Sequence, residues 1–495
     1  MAAARRRPAI RKMTALFVFA ALASAAGIIG LAAKGEGARI ENPRTAPFSP
    51  AFLRYLDSAR ARKAGRTAFR DGTRASGGLV PSPLALPHLD RMPILRDRTL
   101  PAVYDLRTLG RLTPVKDEGD CDAGWAFASY ASLESSLMPK KAWDFSEQNL
   151  IDEHGFALGP CEGGSIFMAA AYLARWDGPW QEKDDPYDYA PSSASDNVKK
   201  HVQNIILIPK RSGATDNVRI KQAVMKNGAV YATMIFTAGA YNPSTQAYYL
   251  SDTASGGHAV AVVGWNDGFS RAKFKTKPPR DGAFIVRNSW GTSWGKGGYF
   301  YISYYDKYFA REDFSASLKA EPVLNYEEVW ANDRLGCCAS LSLNSGETAW
   351  FAMMDWNNTT YPPSMEIQAV SFYALGTTND YEIYVYNRAV DEKPRSGPLA
   401  ANKSGVLKAP GYYTIRLASP VKIKALDYYS VVVKLTTKGY NYPIPGEGPV
   451  EGYSPGAYAL YTQSYVSKDG ATWADLCDLE DDWDVCLKAF GRYVR

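Results

Sequence analysis

Apolar residues recur at helical spacing, with no Gly or Pro, in WAFASYASLESSLM (125–138), and a similar pattern fills GSIFMAAAYLARW (164–176). Both stretches predict helices. From about Ala229 the pattern changes. AVYATMIF, HAVAVVGW, AFIVRNSW and YFYISYY cluster β-branched and aromatic residues and predict strands. A helical first half and a sheet-rich second half, spanning 101–320, suggest two subdomains facing each other in an α+β domain. Beyond it, AVSFYALG, YEIYVYNR, GYYTIRL and YYSVVVKL alternate or cluster strand formers between turn residues. Residues 321–495 are therefore expected to form an all-β sandwich.

The N-terminal hundred residues follow neither period. Arg5, Arg6, Arg7, Arg11 and Lys12 precede an uncharged apolar run at 13–33. A basic start before such a run is the pattern of a secretory signal, and this run is also long enough to stay as a membrane anchor. Cleavage and retention both remain open. Either way the body is expected outside the cytoplasm, secreted or held at the cell surface. Residues 34–100 carry one helix candidate, PAFLRYLDSARARKAG, and the extended, turn-rich GGLVPSPLALP. They read as a linker or a short pro-region.

Composition narrows the classes. With 46% hydrophobic and 22% charged residues the chain is neither disordered, collagenous, coiled-coil nor a multi-span membrane protein. The formal charge of +6 resides almost wholly in the leader, so the body offers no field for nucleic acid. Six cysteines in an oxidising compartment suggest pairing. Cys121 with Cys161 would staple the first domain, Cys477 with Cys486 would close a short loop in the second, and adjacent Cys337 and Cys338 would make a strained bond. His88, His154, His201 and His258 are scattered, so no metal and no cofactor is expected.

Three segments carry the chemistry: DLRTLGRLTPVKDEGDCDAGWAFAS (105–129), SGGHAVAVVGWND (255–267) and FIVRNSWGTSWGKGGYFYIS (284–303), with PCEGG at 160–164. Their order and spacing resemble the papain-like cysteine peptidases over about 101–317. The last third resembles, more weakly, the lectin-like sandwich that follows the peptidase in some bacterial and archaeal relatives. The resemblance implies a papain-like fold, peptide or protein substrates, and a carbohydrate ligand for the C-terminal domain. It places His258 at the general acid/base position, Asn288 at the orienting position with Trp290 after it, and Gly163 and Gly164 where backbone groups pair with an extended substrate. Cys121 and Cys161 align with a disulfide pair of the family.

Two positions depart from the pattern. The nucleophile position, before Trp125, is Gly124, and the oxyanion-binding Gln position is Glu118. Glycine has no atom with which to attack a carbonyl. An ionised carboxylate accepts hydrogen bonds and cannot donate one to an oxyanion. The expectation is a non-catalytic relative that binds peptides, proteins or glycans. Two alternatives remain: an active thiol endopeptidase using Cys121 or a shifted site, and a structural cell-envelope protein.

Overall fold

The structure is a computed structural model, and it describes residues 42–63, 78–192, 197–344, 346–358, 364–390 and 392–494. The expected leader at 1–33 lies outside the described residues. Helix α1 spans Pro50–Lys63, α2 Gly124–Leu137, α3 Glu147–Glu153, α4 Ile166–Ala174 and α5 Val218–Asn227. Ser146 and Ser165 cap α3 and α4 by accepting the backbone N–H groups of Asn149 and Met168. Such caps satisfy donors that the first helical turn leaves open. Helix α2, which Ala123 precedes, has no side-chain cap among the described residues.

The strands of the first domain form an antiparallel run, from Lys200–Ile208 through Ser315–Pro322, Val230–Met234, His258–Asn266 and Ala283–Arg287 to Tyr299–Ser303. Helix α2 is buried between this sheet and the helical half. Trp125, Tyr130 and Leu133 are at most 1% exposed. The C-terminal part is a sandwich. One layer is the run Glu328–Ala331, Leu487–Val494, Ser364–Ala374 and Gly411–Lys424. The other is a six-stranded sheet that includes Thr348–Trp356, Asn379–Asn387 and Tyr428–Thr437. Phe351, Ile383, Val431 and Val433 from one layer meet Ile367, Val370 and Phe372 from the other in a common core.

The two parts share one sheet. Gly411, Tyr412 and Tyr413 pair with Ile206, Ile205 and Asn204, so a layer of the sandwich continues into the first domain's sheet. A Cβ on Gly411 would lie 2.3 Å from the Ile205 carbonyl oxygen. Glycine is what lets the strands meet there.

The stretch before residue 100 is packed more tightly than a linker composition suggests. Arg44 and Thr45 pair with Ser342 and Leu341. Phe52 of α1 is fully buried, with its ring edge-on to Tyr453. Val80, Leu84, Leu86 and Leu89 enter the main core. Prolines at 81, 83 and 87 impose extended backbone and break any hydrophobic period, which hides this burial from pattern reading.

Cys121 and Cys161 form a disulfide. The expected Cys477–Cys486 bond does not form, and both residues are buried free thiols. Cys477 sits in a turn where the Asp475 carboxylate accepts its N–H at 3.0 Å. Cys486, bonded through its N–H to Pro445 O, turns its side chain toward Cys337 instead.

Candidate functional site

The segment Asp117–Ala123 crosses from the sheet side to α2, turning at Gly119, whose φ is +59°. It delivers Gly124 to the first position of the helix, buried and beneath the uncapped N–H groups. A helix N-terminus stabilises negative charge, which is what a thiolate there would need. Opposite it, His258 opens the strand His258–Asn266, and Asn288 follows the strand Ala283–Arg287.

The imidazole is 3% exposed and lies over Trp290, with ring centroids 4.9 Å apart. Its Nε2 donates to Asn288 Oδ1 at 2.7 Å. That bond leaves Nδ1 as the lone-pair nitrogen facing Gly124. Burial pushes the His258 pKa down to about 4, although the Asn288 bond acts the other way. The ring is neutral at pH 7.

The space a nucleophile would need is largely taken. A Cβ built on Gly124 would sit 2.8 Å from His258 Cε1, 3.0 Å from Nδ1 and 3.1 Å from Glu118 Oε2. The imidazole has closed onto the glycine. Glu118 is 4% exposed; its Oε1 accepts from Trp290 Nε1 at 2.7 Å and from Ser289 Oγ at 3.1 Å. Tyr187 and Tyr189 donate their hydroxyls to the Glu118 carbonyl at 3.0 and 3.2 Å. A Cβ on Gly119 would lie 1.9 Å from the Tyr189 hydroxyl. These tyrosines therefore cover the turn beside the oxyanion position.

Cys121 does not replace the missing sulfur, because its own sulfur is bonded to Cys161. The four free cysteines are Cys337, Cys338, Cys477 and Cys486, all within the C-terminal third. The expected alternative of a Cys121 nucleophile is thereby corrected: the disulfide commits this thiol to joining two loops.

Gly163 and Gly164 line a cleft that holds part of the same chain. Gly164 N donates to Gly78 O at 2.8 Å, Val80 N donates to Gly164 O at 2.8 Å, and Leu79 N donates to Gly257 O at 3.3 Å. The pairing of Leu79 with Gly164 is parallel. A Cβ on Gly163 would lie 2.0 Å from Gly78 O, so glycine there admits the segment, whereas a Cβ on Gly164 would lie 2.2 Å from the Trp125 ring, so glycine there lets α2 pack close. Sequence reasoning found the glycines but not their occupant. GGLVP was legible only as extended chain.

A second group that the sequence did not reveal supports the site from below. Lys116, two residues before Glu118, donates to Phe145 O at 2.6 Å and meets Asp144 and Glu147, each at 2.7 Å, with Glu182 at 3.5 Å. Glu134 of α2 lies 4.0 Å away and accepts the Phe145 N–H. Burial alone would lower the Lys116 pKa, but Glu147, Glu134 and Glu182 hold it above the usual lysine range. The cluster ties α2, α3 and the 116–118 segment together beneath Gly124.

Comparison with known proteins agrees with this architecture. Residues 100–316 match the papain family cysteine protease model and residues 329–491 the lectin like domain model. Cysteine proteinase 15A of Pisum sativum is 33% identical over 236 residues, covering 44% of this chain and 62% of that protein. Procathepsin L of Rattus norvegicus is 31% identical over 214 residues, covering 41% and 60%. The match thus spans about three fifths of these relatives' length. The crystal structure of the cysteine protease and lectin-like domains of Cwp84, a surface layer associated protein of Clostridium difficile, superposes with a TM-score of 0.74. That match covers 91% of this chain and 98% of the other at 23% identity, which establishes the shared fold. The chain therefore carries a domain of the papain family of cysteine proteases followed by a lectin-like domain.

Proposed function

We propose that this protein is a non-catalytic papain-family member, secreted or surface-anchored, that binds peptides, proteins or glycans. One observation carries the proposal. His258, the acid/base position, packs against the bare Gly124, and the sulfur that should lie between them does not exist. A covalent acyl intermediate needs a nucleophile on the enzyme. Removing the nucleophile of a hydrolytic triad costs on the order of 10⁶ in kcat. Glu118 adds to the loss, since its carboxylate would repel a developing oxyanion. His258 and Asn288 then serve as part of the cleft wall, and no metal or cofactor enters the account.

Binding has two supports. The segment Gly78–Val80 pairs with Gly164 through backbone groups, which is how an extended peptide adds to a strand edge. A peptide from another protein would have to displace that segment. The lectin-like domain supports a glycan ligand. The likeness to a surface layer associated protein, together with the leader, supports a location outside the cytoplasm, with the leader as membrane anchor if it is retained. A structural role in the envelope is the second reading. It is favoured by the sheet that runs unbroken from one domain into the other.

Peptide and glycan arrays probed with the purified full chain test this function. A specific ligand that is recovered uncleaved is the expected result. Cleavage of a bound peptide would overturn the non-catalytic reading, and the absence of any specific ligand would leave the structural one.

A further inference from the structure

Three of the four free thiols lie together. Cys337, Cys338 and Cys486 are 4%, 1% and 1% exposed. They belong to one core with Ala171 of α4, Tyr373 and Tyr453. The backbone fixes them around the strand Ile444–Glu447: Cys338 N donates to Gly446 O at 3.0 Å, and Cys486 N donates to Pro445 O at 2.9 Å. Within the group the contacts are selective. The Cys337 thiol donates to Ala339 O at 3.2 Å, and the Cys486 side chain approaches both Cys337 and the Asp333 carboxylate. Cys338 turns away, its thiol donating to Leu335 O at 3.6 Å.

We propose that Cys337 and Cys486 are a disulfide-forming pair that closes the lectin-like domain on itself. The bond would join the chain as it enters the strand Ala339–Ser342 to the start of the last strand, Leu487–Val494. It would enclose most of the matched domain at 329–491. A link over so long a loop removes much of the freedom of the unfolded chain.

The chemistry balances with a disulfide donor such as oxidised glutathione, a class of oxidant found where secreted proteins fold. One thiol loses its proton and attacks the donor, forming a mixed disulfide and releasing one glutathione thiol. The second cysteine sulfur then displaces the other glutathione. Two cysteine thiols lose two electrons and two protons, and the donor becomes two thiols. Burial raises the Cys486 pKa and keeps its thiolate scarce, so the exchange proceeds through folding or local opening, not in the closed core.

The test treats the full chain with oxidised glutathione, denatures it without reductant, blocks free thiols with iodoacetamide and maps the digest by mass spectrometry. The expected product joins Cys337 to Cys486 and leaves Cys338 and Cys477 alkylated. The urea midpoint should rise on oxidation in the parent chain and in Cys338→Ser, and stay unchanged in Cys486→Ser and in Cys337→Ser. Alkylation of both Cys337 and Cys486 after oxidation would overturn the proposal. So would a bond from Cys486 to Cys338 or to Cys477.

Discussion

A chain carrying Gly124→Cys together with Glu118→Gln will alkylate with iodoacetamide at pH 6 about a hundredfold faster than an ordinary cysteine, whose pKa is about 8.5. The parts that make a reactive thiolate are still assembled. The uncapped N-terminus of α2 favours negative charge at residue 124. The free lone pair of His258 Nδ1 faces that position, and the ring is oriented by Asn288 at 2.7 Å. One obstacle is steric. The new Cβ would begin 2.8 Å from His258 Cε1, so the ring must back away by a few tenths of an ångström against Trp290. Displacing a side chain from its torsional minimum costs about 0.5–1.5 kcal/mol, less than the stabilisation of a thiolate–imidazolium pair.

The other obstacle is electrostatic, and it explains why two changes are needed. In Gly124→Cys alone the Glu118 carboxylate stays 3.1 Å from the Cβ position and raises the thiol pKa, so alkylation should be at least about tenfold slower than in the double variant. The amide that Glu118→Gln introduces can keep the Trp290 N–H bond through its oxygen while offering an N–H donor. A small reagent is the right probe, because Gly78–Val80 lies over the Gly164 backbone and restricts a peptide substrate. A double variant no more reactive than an ordinary cysteine would mean that the cleft has changed beyond residues 118 and 124.

Lys116→Met is expected to be the most destabilising change, costing about 3–5 kcal/mol in a urea titration, the usual penalty for breaking a buried ion pair. Glu134 and Glu147 are 1% and 2% exposed; Glu147 loses its cation, and Glu134 is left with Arg287 alone. Asp144 and Glu182 keep access to water and add little. The loss has a pH signature. Burial already raises the pKa values of Glu134 and Glu147, with Lys116 opposing it, and removing the lysine raises them further. A carboxylate whose folded pKa lies above its unfolded value, about 4.3, costs nothing below that pH and progressively more as pH rises through the folded pKa. Because Glu147 already titrates at about 8 with the lysine present, this part of the deficit should be small below about pH 8 and grow as pH rises above it, and Lys116→Met with Glu147→Gln should recover part of it. A loss below about 1 kcal/mol at about pH 9 would show that the cluster holds nothing together.

Helices α2 and α4 and part of the strands of both domains were legible because their apolar positions keep a period, whereas α3, α5 and the strand Lys200–Ile208 were not read from the sequence. WAFASYASLESSLM became α2, and HAVAVVGW became the strand that carries His258. The positions around the site were legible for a different reason: RNSWG, GGHAV and DEGDCDAGW resemble a family pattern, and that pattern made the glycine visible as a loss. What sequence could not give depends on contacts between distant segments. Nothing in LTPVKDEG says that Lys116 will meet carboxylates from Asp144, Glu147 and Glu182. Nothing in GGLVP says that it will lie in the cleft. The Cys477–Cys486 pairing failed because proximity along the chain was the only guide, whereas Cys486 faces Cys337 from the far end of the domain.

No thiolate stands beside His258 in the unmodified chain. Intact-mass analysis of the unmodified, leader-free chain after incubation with a thiol-directed epoxide at about pH 6 tests it most directly, because such a reagent adds stably only to an activated cysteine. The account predicts an unchanged mass, with Gly124→Cys/Glu118→Gln gaining one adduct under the same conditions. A single adduct on the unmodified chain, mapped to Cys121 and abolished by His258→Ala, would contradict it.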